Sequence, residues 1–256
     1  MSASAAGFSQ RVRAGFGRRA TLYEHHARLQ QATAWRLGHL CRQLPLGEGP
    51  RADLGAGSGL LSRALVQQHA ALSRQPPLQL DQCPELLALN PLAAAGSRLW
   101  DLNHGLPADL EGAALLGSSF ALQWLDDPIG QLGHWCRRLR SGGWLVLAVP
   151  TAGSFPHWRQ AARAAQVPCT ALCLPAAPAL QAAAGDAGLE LHHSQQLRFS
   201  RPDQGGLATL HHLRQLGASA SRTSPLTAGQ LRRLLRHWPA GSPLTWEVLL
   251  LVGRAP

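Results

Sequence analysis

Over its first 150 residues the chain alternates short apolar runs with stretches whose apolar residues recur near every 3.6 positions, an order that few folds accept. Leu78-Gln79-Leu80 has the pattern of a short strand ending at Asp81, and Pro84 opens a helix through Leu86, Leu87 and Leu89. A brief strand precedes Asp101. Ala113–Trp124 reads as a buried strand and turn, Ile129–Leu139 as a helix, and Ser141-Gly142-Gly143 turns into Trp144–Val149. That last run is apolar throughout, as in a parallel strand covered on both faces. Strand and helix in alternation predict a doubly wound α/β sheet.

The flanking segments read differently. Residues 1–15 are small and polar, and are expected to fray. From Phe16 to Leu44 a single helical pattern places Leu22, Leu29, Leu37 and Leu40 near one face, with Trp35 beside them, until Pro45 and Gly47–Pro50 stop it. An apolar helix is expected over Leu60–Leu72. Residues 153–188 are rich in Ala and Pro and predict helix in pieces. Residues 189–199 predict a strand, 203–217 a helix, Thr227–His237 a helix with Thr227 and Gln230 at capping-box spacing, and Leu244–Val252 a final strand.

Composition narrows the function classes. The 256 residues are 45% hydrophobic and 15% charged, enough for one large buried core. A net charge of +10 first points to nucleic acid. However, all 24 Lys+Arg residues are Arg, dispersed without a run of five or six, as a genome-wide coding bias would leave them. The expected macromolecular partner is therefore an acidic protein and not a nucleic acid. Five scattered cysteines without a C-x-x-C pair read as reduced thiols of a cytoplasmic protein, and Cys169 and Cys173 lack the second pair a zinc site needs, so no metal is expected. The pairs His25-His26, His192-His193 and His211-His212 read as solvated. No signal-peptide core and no run of 18 apolar residues is present, so no membrane association is expected.

Asp53-x-Gly55-x-Gly57-x-Gly59 lies between a short strand and a helix. Glycines there allow a tight turn and let a ligand lie against bare backbone at a helix N-terminus. Alone the motif is weak, because glycine turns after strands are common. Asp81 ends the next strand 22 residues beyond Gly59, where a carboxylate can accept bonds from ribose hydroxyls, and Asp101 ends the strand after that, where it can meet an adenine amino group. A dinucleotide would call for G-x-G-x-x-G, but Leu61-Ser62 follow Gly59 without that glycine. An acid two residues before the first glycine suits the ammonium end of S-adenosylmethionine. The cofactor set thus comprises Asp53, Leu54, Gly55, Ala56, Gly57 and Gly59, then Asp81 with Gln82, Asp101 with Leu102, and Ser118.

With those residues in place, the chain resembles the class I S-adenosylmethionine-dependent methyltransferases, and within them the malonyl-acyl-carrier-protein O-methyltransferases of biotin synthesis. The resemblance runs through Phe16–Ala20, Tyr23 and Ala27–Gln30, the loop Asp53–Gly59, Ser118–Trp124, Ser154-Phe155-Pro156, Leu213–Ala218 and Pro243–Glu247. It departs where Gly49-Pro50-Arg51-Ala52 precedes Asp53, where Ala113–Leu116 stands in place of a Phe-Asp pair, and where Cys83 replaces a small Ser. The family implies a seven-stranded, mostly parallel sheet with an N-terminal helix and a helical insertion after strand 5. The expected organisation is one domain: a cap (1–45), a cofactor half (46–150), an insertion and strand 6 region (151–225), and a final helix and strand (226–256). It also implies a malonyl carboxylate on an acyl carrier protein as acceptor, with Tyr23 and Gln123 as candidates to hold it, and a monomer. Arg232, Arg233 and Arg236 form a basic face whose Leu231, Leu234 and Leu235 pack inward, a candidate dock for the carrier. Rival readings are a methyltransferase with another small-molecule or protein acceptor, and a non-catalytic assembly factor on the same scaffold. A base methyltransferase would need an N-P-P-Y-type loop where Ser118-Ser119-Phe120-Ala121 stands.

Overall fold

A computed structural model describes residues 5–202 and 205–256. The chain opens with three helices, α1 (Ala5–Gly17), α2 (Ala20–His26) and α3 (Arg28–Cys41). Then follow β1 (Arg51–Leu54), α4 (Leu60–Gln68), α5 (Ala70–Arg74), β2 (Leu78–Asp81), α6 (Pro84–Leu87), β3 (Ser97–Leu99) and β4 (Ala113–Ser119). The second half comprises α7 (Pro128–Arg137), β5 (Leu139–Pro150), α8 (Pro156–Ala164), α9 (Ala177–Asp186), β6 (Glu190–Arg201), α10 (Gly205–Gln215), α11 (Ala228–Arg236) and β7 (Leu244–Arg254). The seven strands form one sheet in the order β3-β2-β1-β4-β5-β7-β6, parallel except for β7.

The apolar runs explain the layers. In β5, Leu145, Leu147 and Val149 face a core shared with Leu132 and Trp135 of α7 and Leu180 of α9. The alternate residues Trp144, Val146 and Ala148 face Leu37 of α3 and Leu61 and Leu65 of α4. Both faces are covered from Trp144 to Val149, so that stretch is apolar throughout. The weak sequence around β1 is no obstacle, because Ala52 and Leu54 are buried between β2 and β4 and need supply little apolar area of their own. A third, smaller core is built by Phe155, Trp158 and Ala161 around α8 with Leu213 of α10 and Leu234 of α11, and meets the sheet through Leu244 and Trp246 of β7.

Three expectations need correction. Residues 1–15 do not fray as a block: from Ala5 onward they form α1, because Phe8, Val12 and Phe16 fall at i, i+4 and i+8 and give the helix an apolar stripe. Phe8 and Val12 are buried at 1% and 3% exposure; residues 1–4 lie outside the described segment. The single helix expected from Phe16 to Leu44 is broken at Ala27, whose φ of −84° and ψ of 35° leave the helical region, while Leu22 and Trp35 point to solvent. The helix expected over 60–72 is interrupted at His69, which turns extended and caps α5 by accepting from the Ala71 N–H at 3.2 Å. The helical insertion expected after strand 5 is present as α8 and α9, and α10 and α11 lie between β6 and β7, in the order the sequence predicts. The predicted helix start at 203 lies outside the described residues, and α11 carries the predicted capping box.

Candidate active site

The sheet order reverses between β1 and β4, and in doubly wound folds a ligand crevice opens at the carboxyl ends of such strands. A cavity of about 830 Å³ lies there. Asp53, Gly55, Ala56, Gly57, Asp81, Gln82, Asp101 and Leu102 all line it, so the structure gathers eight of the eleven residues expected to hold a cofactor.

The loop after β1 needs its glycines. Gly55, Gly57 and Gly59 have φ of 76°, 53° and 85°, where an L side chain is strained. A Cβ on Gly55 would also run into the Ala121 side chain. The turn is fastened to β2, since the N–H groups of Gly55 and Ala56 donate to the Leu80 carbonyl at 2.8 and 2.9 Å. The Gly57 N–H donates to Asp81 Oδ2 at 2.8 Å and the Cys83 N–H to Asp81 Oδ1 at 2.7 Å. Each Asp81 oxygen keeps a second lone pair for a ligand hydroxyl. Burial raises the Asp81 carboxyl to about 6, against the pull of those backbone donors. Cys83 therefore acts here through its backbone.

Asp53 is 1% exposed. Its Oδ2 accepts from the Ser62 N–H at 3.1 Å and the Ser62 hydroxyl at 2.7 Å, whereas Oδ1 has no partner. Burial lifts its pKa to about 7 despite the Ser62 bonds. A buried carboxylate with one bare oxygen at a cavity wall fits a ligand cation, which would restore the missing interaction. Behind it, Gln79 Nε2 donates to Ser62 Oγ at 2.9 Å and Asn90 Nδ2 to Gln79 Oε1 at 2.9 Å, a buried chain tying α4 and β2 to the loop. Ser62, Gln79 and Asn90 escape a reading of the motif alone, because nothing local marks a polar residue on an apolar segment as part of a network.

Three expected cofactor residues stay out of the cavity. Successive strand residues point to opposite faces, so Asp53 turns its side chain toward α4 while Leu54 joins the core on the other side. Ser118 is fully buried and donates to the Leu54 carbonyl at 2.8 Å, and its neighbour Ser119 lines the cavity in its place. Gly59 begins α4 and packs against the Asn90 side chain. The cavity also gains walls the sequence did not announce: Val12 and Phe16 of α1, and Gln30 of α3. The Ser9 hydroxyl lies 2.7 Å from both Gln82 Oε1 and Asp101 Oδ2, so α1 is tied directly to the floor of the site.

A second cavity of about 590 Å³ adjoins the first, with Phe16, Tyr23, Gln30, Phe120 and Trp124 common to both walls. Its remaining lining is mostly apolar, including Phe155, Trp158, Leu172, Leu213 and Trp246, and among the described residues holds no charged side chain. Tyr23 thus stands at the junction. Burial, reinforced by Asp81 and Glu24, raises its phenol well above the ordinary range, so it remains a donor. Gln123 lines the second cavity only; its Nε2 donates to the Phe120 carbonyl at 2.7 Å and its Oε1 has no partner. That bond braces Phe120, whose φ of 55° is unusual for a non-glycine residue. Arg232, Arg233 and Arg236 are exposed on α11 and line neither cavity, while Leu234 is buried as expected and Leu231 and Leu235 are half-buried.

The fold and this crevice are those of a class I S-adenosylmethionine-dependent methyltransferase. Among solved structures, the chain superposes on the YcgJ protein from Bacillus subtilis with a TM-score of 0.57 at 15% identity, over 86% of this chain and 97% of that one. It superposes on a geranyl diphosphate methyltransferase in complex with SAM with a TM-score of 0.52 at 18% identity, over 94% and 91%. At such identities the likeness concerns the fold. No family model matches the sequence. Sequence relatives are more specific. The chain is 31% identical to the malonyl-acyl-carrier-protein O-methyltransferase of Alcanivorax borkumensis over 92% of its own length and 83% of that protein. It is 33% identical to the biotin biosynthesis bifunctional protein BioCD of Bordetella avium over 91% of its length, and spans half of that longer protein. The chain belongs to the malonyl-acyl-carrier-protein O-methyltransferase family.

Proposed function

We propose that this protein transfers a methyl group from S-adenosylmethionine to the free carboxylate of a malonyl group carried on an acyl carrier protein, giving the methyl ester used in building the pimeloyl precursor of biotin. The observation that carries this reading is the meeting of two cavities at Tyr23: one lined by acids suited to a cationic, ribose-bearing cofactor, the other nearly apolar. The intact glycine turn and bare Asp53 oxygen favour a working site over a non-catalytic scaffold.

In this reading Asp81 takes the ribose hydroxyls, Asp53 faces the ammonium end, and Asp101 with Gln82 meets the adenine side. When bound, S-adenosylmethionine supplies an electrophilic methyl whose carbon–sulfur bond breaks as the acceptor oxygen bonds to it. A carboxylate is already ionised near pH 7, so the protein needs no general base. Its task is to align the acceptor and strip water from it. The second cavity does this with an apolar wall that, among the described residues, carries no cation, since a paired arginine would quench the nucleophile. Tyr23, held protonated, donates one hydrogen bond that fixes the carboxylate. Gln123 positions the Phe120 turn between the two cavities. Residues 1–45 serve as the cap, 46–150 as the cofactor half, and the segments within 151–225 and 226–256 as the acceptor wall. The protein acts as a monomer.

The test offers malonyl-carrier protein, malonyl-coenzyme A and free malonate with labelled S-adenosylmethionine, and measures S-adenosylhomocysteine binding by calorimetry. Methyl ester on the carrier-bound malonyl group is expected; cofactor binding with no transfer to any malonyl acceptor would move the search to other substrates. Tyr23→Phe is expected to lower kcat by about tenfold or more with S-adenosylhomocysteine affinity unchanged, the loss of one hydrogen bond to a charged group.

A further inference from the structure

A groove of about 1550 Å³ opens beside the acceptor cavity, sharing Gln30, Leu216 and Trp246 with its wall. Its cationic and imidazole groups come from four separate elements: His25 and His26 of α2, Arg28 of α3, Arg201 of β6, and His211 and His212 of α10. Among the described residues, none lining it is acidic and none offers Arg28 or Arg201 a carboxylate within ion-pair distance. The groups crowd one another. Arg201 Nη1 lies 3.4 Å from His212 Nδ1, the His26 and His212 rings are 6.3 Å apart, and those of His25 and His26 are 5.0 Å apart. An anion in the groove would give the two guanidinium groups a counter-charge and the imidazole N–H groups an acceptor. Burial, followed by the neighbouring cations, lowers the proton affinity of His212, leaving it a neutral donor beside charged Arg201.

We propose that this groove binds the phosphodiester of the carrier protein's prosthetic arm, with the thioester end of that arm passing over Leu216 and Trp246 into the acceptor cavity. The inference rests on the reading of the acceptor as carrier-bound. A ligand that enters here meets arginines and imidazoles first and an uncharged apolar chamber second, so it must carry its anion at one end and a neutral chain at the other. Arginine forks and imidazole donors match phosphate oxygens. The exposed arginines of α11 offer charge too, but they line neither the groove nor the cavities. Of the two basic surfaces, only the groove leads to the site of chemistry.

The experiment compares the unaltered protein, the double variant Arg28→Glu with Arg201→Glu, and the α11 variant Arg232→Glu with Arg233→Glu. Fluorescence anisotropy measures binding of holo-carrier protein, and labelled methyl transfer is followed with malonyl-carrier protein and with malonyl-pantetheine, which lacks the phosphate. The groove variant should weaken carrier binding and raise KM for malonyl-carrier protein by about tenfold or more. It should leave kcat/KM for malonyl-pantetheine and the affinity for S-adenosylhomocysteine unchanged, and the α11 variant should change carrier KM by less than about twofold. Equal losses on both acceptors, no loss on either, or a loss confined to the α11 variant would overturn the groove. Carrier binding that depends on the groove without methyl transfer would instead overturn the proposed acceptor chemistry and leave the groove standing. An unaltered protein that does not bind holo-carrier protein would overturn both.

Discussion

The proposed cofactor half and acceptor half of this molecule are built by different means. Around Asp53 and Asp81 the geometry is set by backbone: three left-handed glycines, N–H groups donated to a carboxylate, and a polar chain through Ser62, Gln79 and Asn90. The acceptor cavity is set by side chains brought from α2, α3, α8, α10 and β7, resting on a small core of their own. A site cut from backbone has few ways to change without losing its ligand. One assembled from side chains on a satellite core can be re-lined element by element while the cofactor half stays whole, which is how one scaffold serves many acceptors.

That contrast is open to test, and the largest effect belongs to the turn. Gly55→Val places a branched side chain at φ 76° and into Ala121. Strain and lost space together should reduce S-adenosylhomocysteine affinity by more than about 100-fold, with the circular dichroism spectrum retained. Retained affinity would show that the turn is not the anchor it is taken to be.

Next in size is a cut in the satellite core. Leu234→Ala, at a fully buried position, should cost about 2–5 kcal/mol. Because its neighbours are Trp158, Leu213 and their cluster, hydrogen exchange should rise first in α8, α10 and α11 while β1, β4 and β5 stay protected. Uniform loss of protection would mean that the two halves unfold as one and the contrast concerns ligand recognition only.

The same contrast governs how far the sequence could be read. The glycine turn, Asp81 and the buried run Trp144–Val149 announce themselves, because conformation and double burial each demand particular residues at fixed spacing. Tyr23 is legible only through resemblance, and nothing near it in sequence marks the junction it occupies. The segment before Phe16 reads as loose because its small and polar residues outnumber Phe8 and Val12, although those two with Phe16 make the stripe that docks α1. Ser118 and Leu54 stand one residue out of step with the strand pleat, where a single shift reverses the face. The groove at Arg28, Arg201 and His212 spans residues more than 170 positions apart, and its histidines read as solvated pairs one at a time.

A smaller effect follows from the raised carboxyls. Asp53 at about 7 and Asp81 at about 6 both lie above their unfolded value of 3.8. The folded state therefore holds their protons more tightly, and the stability they contribute is complete below about pH 4 and lost as pH rises through about 6 to 7. Ligand binding runs the other way, because an ammonium group and ribose hydroxyls call for the ionised forms. Affinity for S-adenosylhomocysteine should rise by about tenfold or more between pH 5 and 8, and Asp53→Asn should flatten the part of the curve near 7. The ligand-free melting temperature should fall over the same interval. Affinity that is level or declines with pH would place the cation elsewhere.

The smallest effect concerns a polar contact that ties α1 to the cofactor cavity. Ser9 of α1 lies 2.7 Å from Gln82 Oε1 and Asp101 Oδ2, on the floor of the cofactor cavity, while Phe16 on the same helix walls both cavities. Ser9→Ala removes a hydrogen bond without touching the apolar stripe, a loss of about 1 kcal/mol. If α1 must leave for the cofactor to exit, that loss falls on the closed state alone. The release rate of S-adenosylhomocysteine should then rise about fivefold with association nearly unchanged, as stopped-flow fluorescence would record. An unchanged release rate would separate the two roles of α1, showing that its apolar stripe, and not the Ser9 contact, governs how long the cofactor stays.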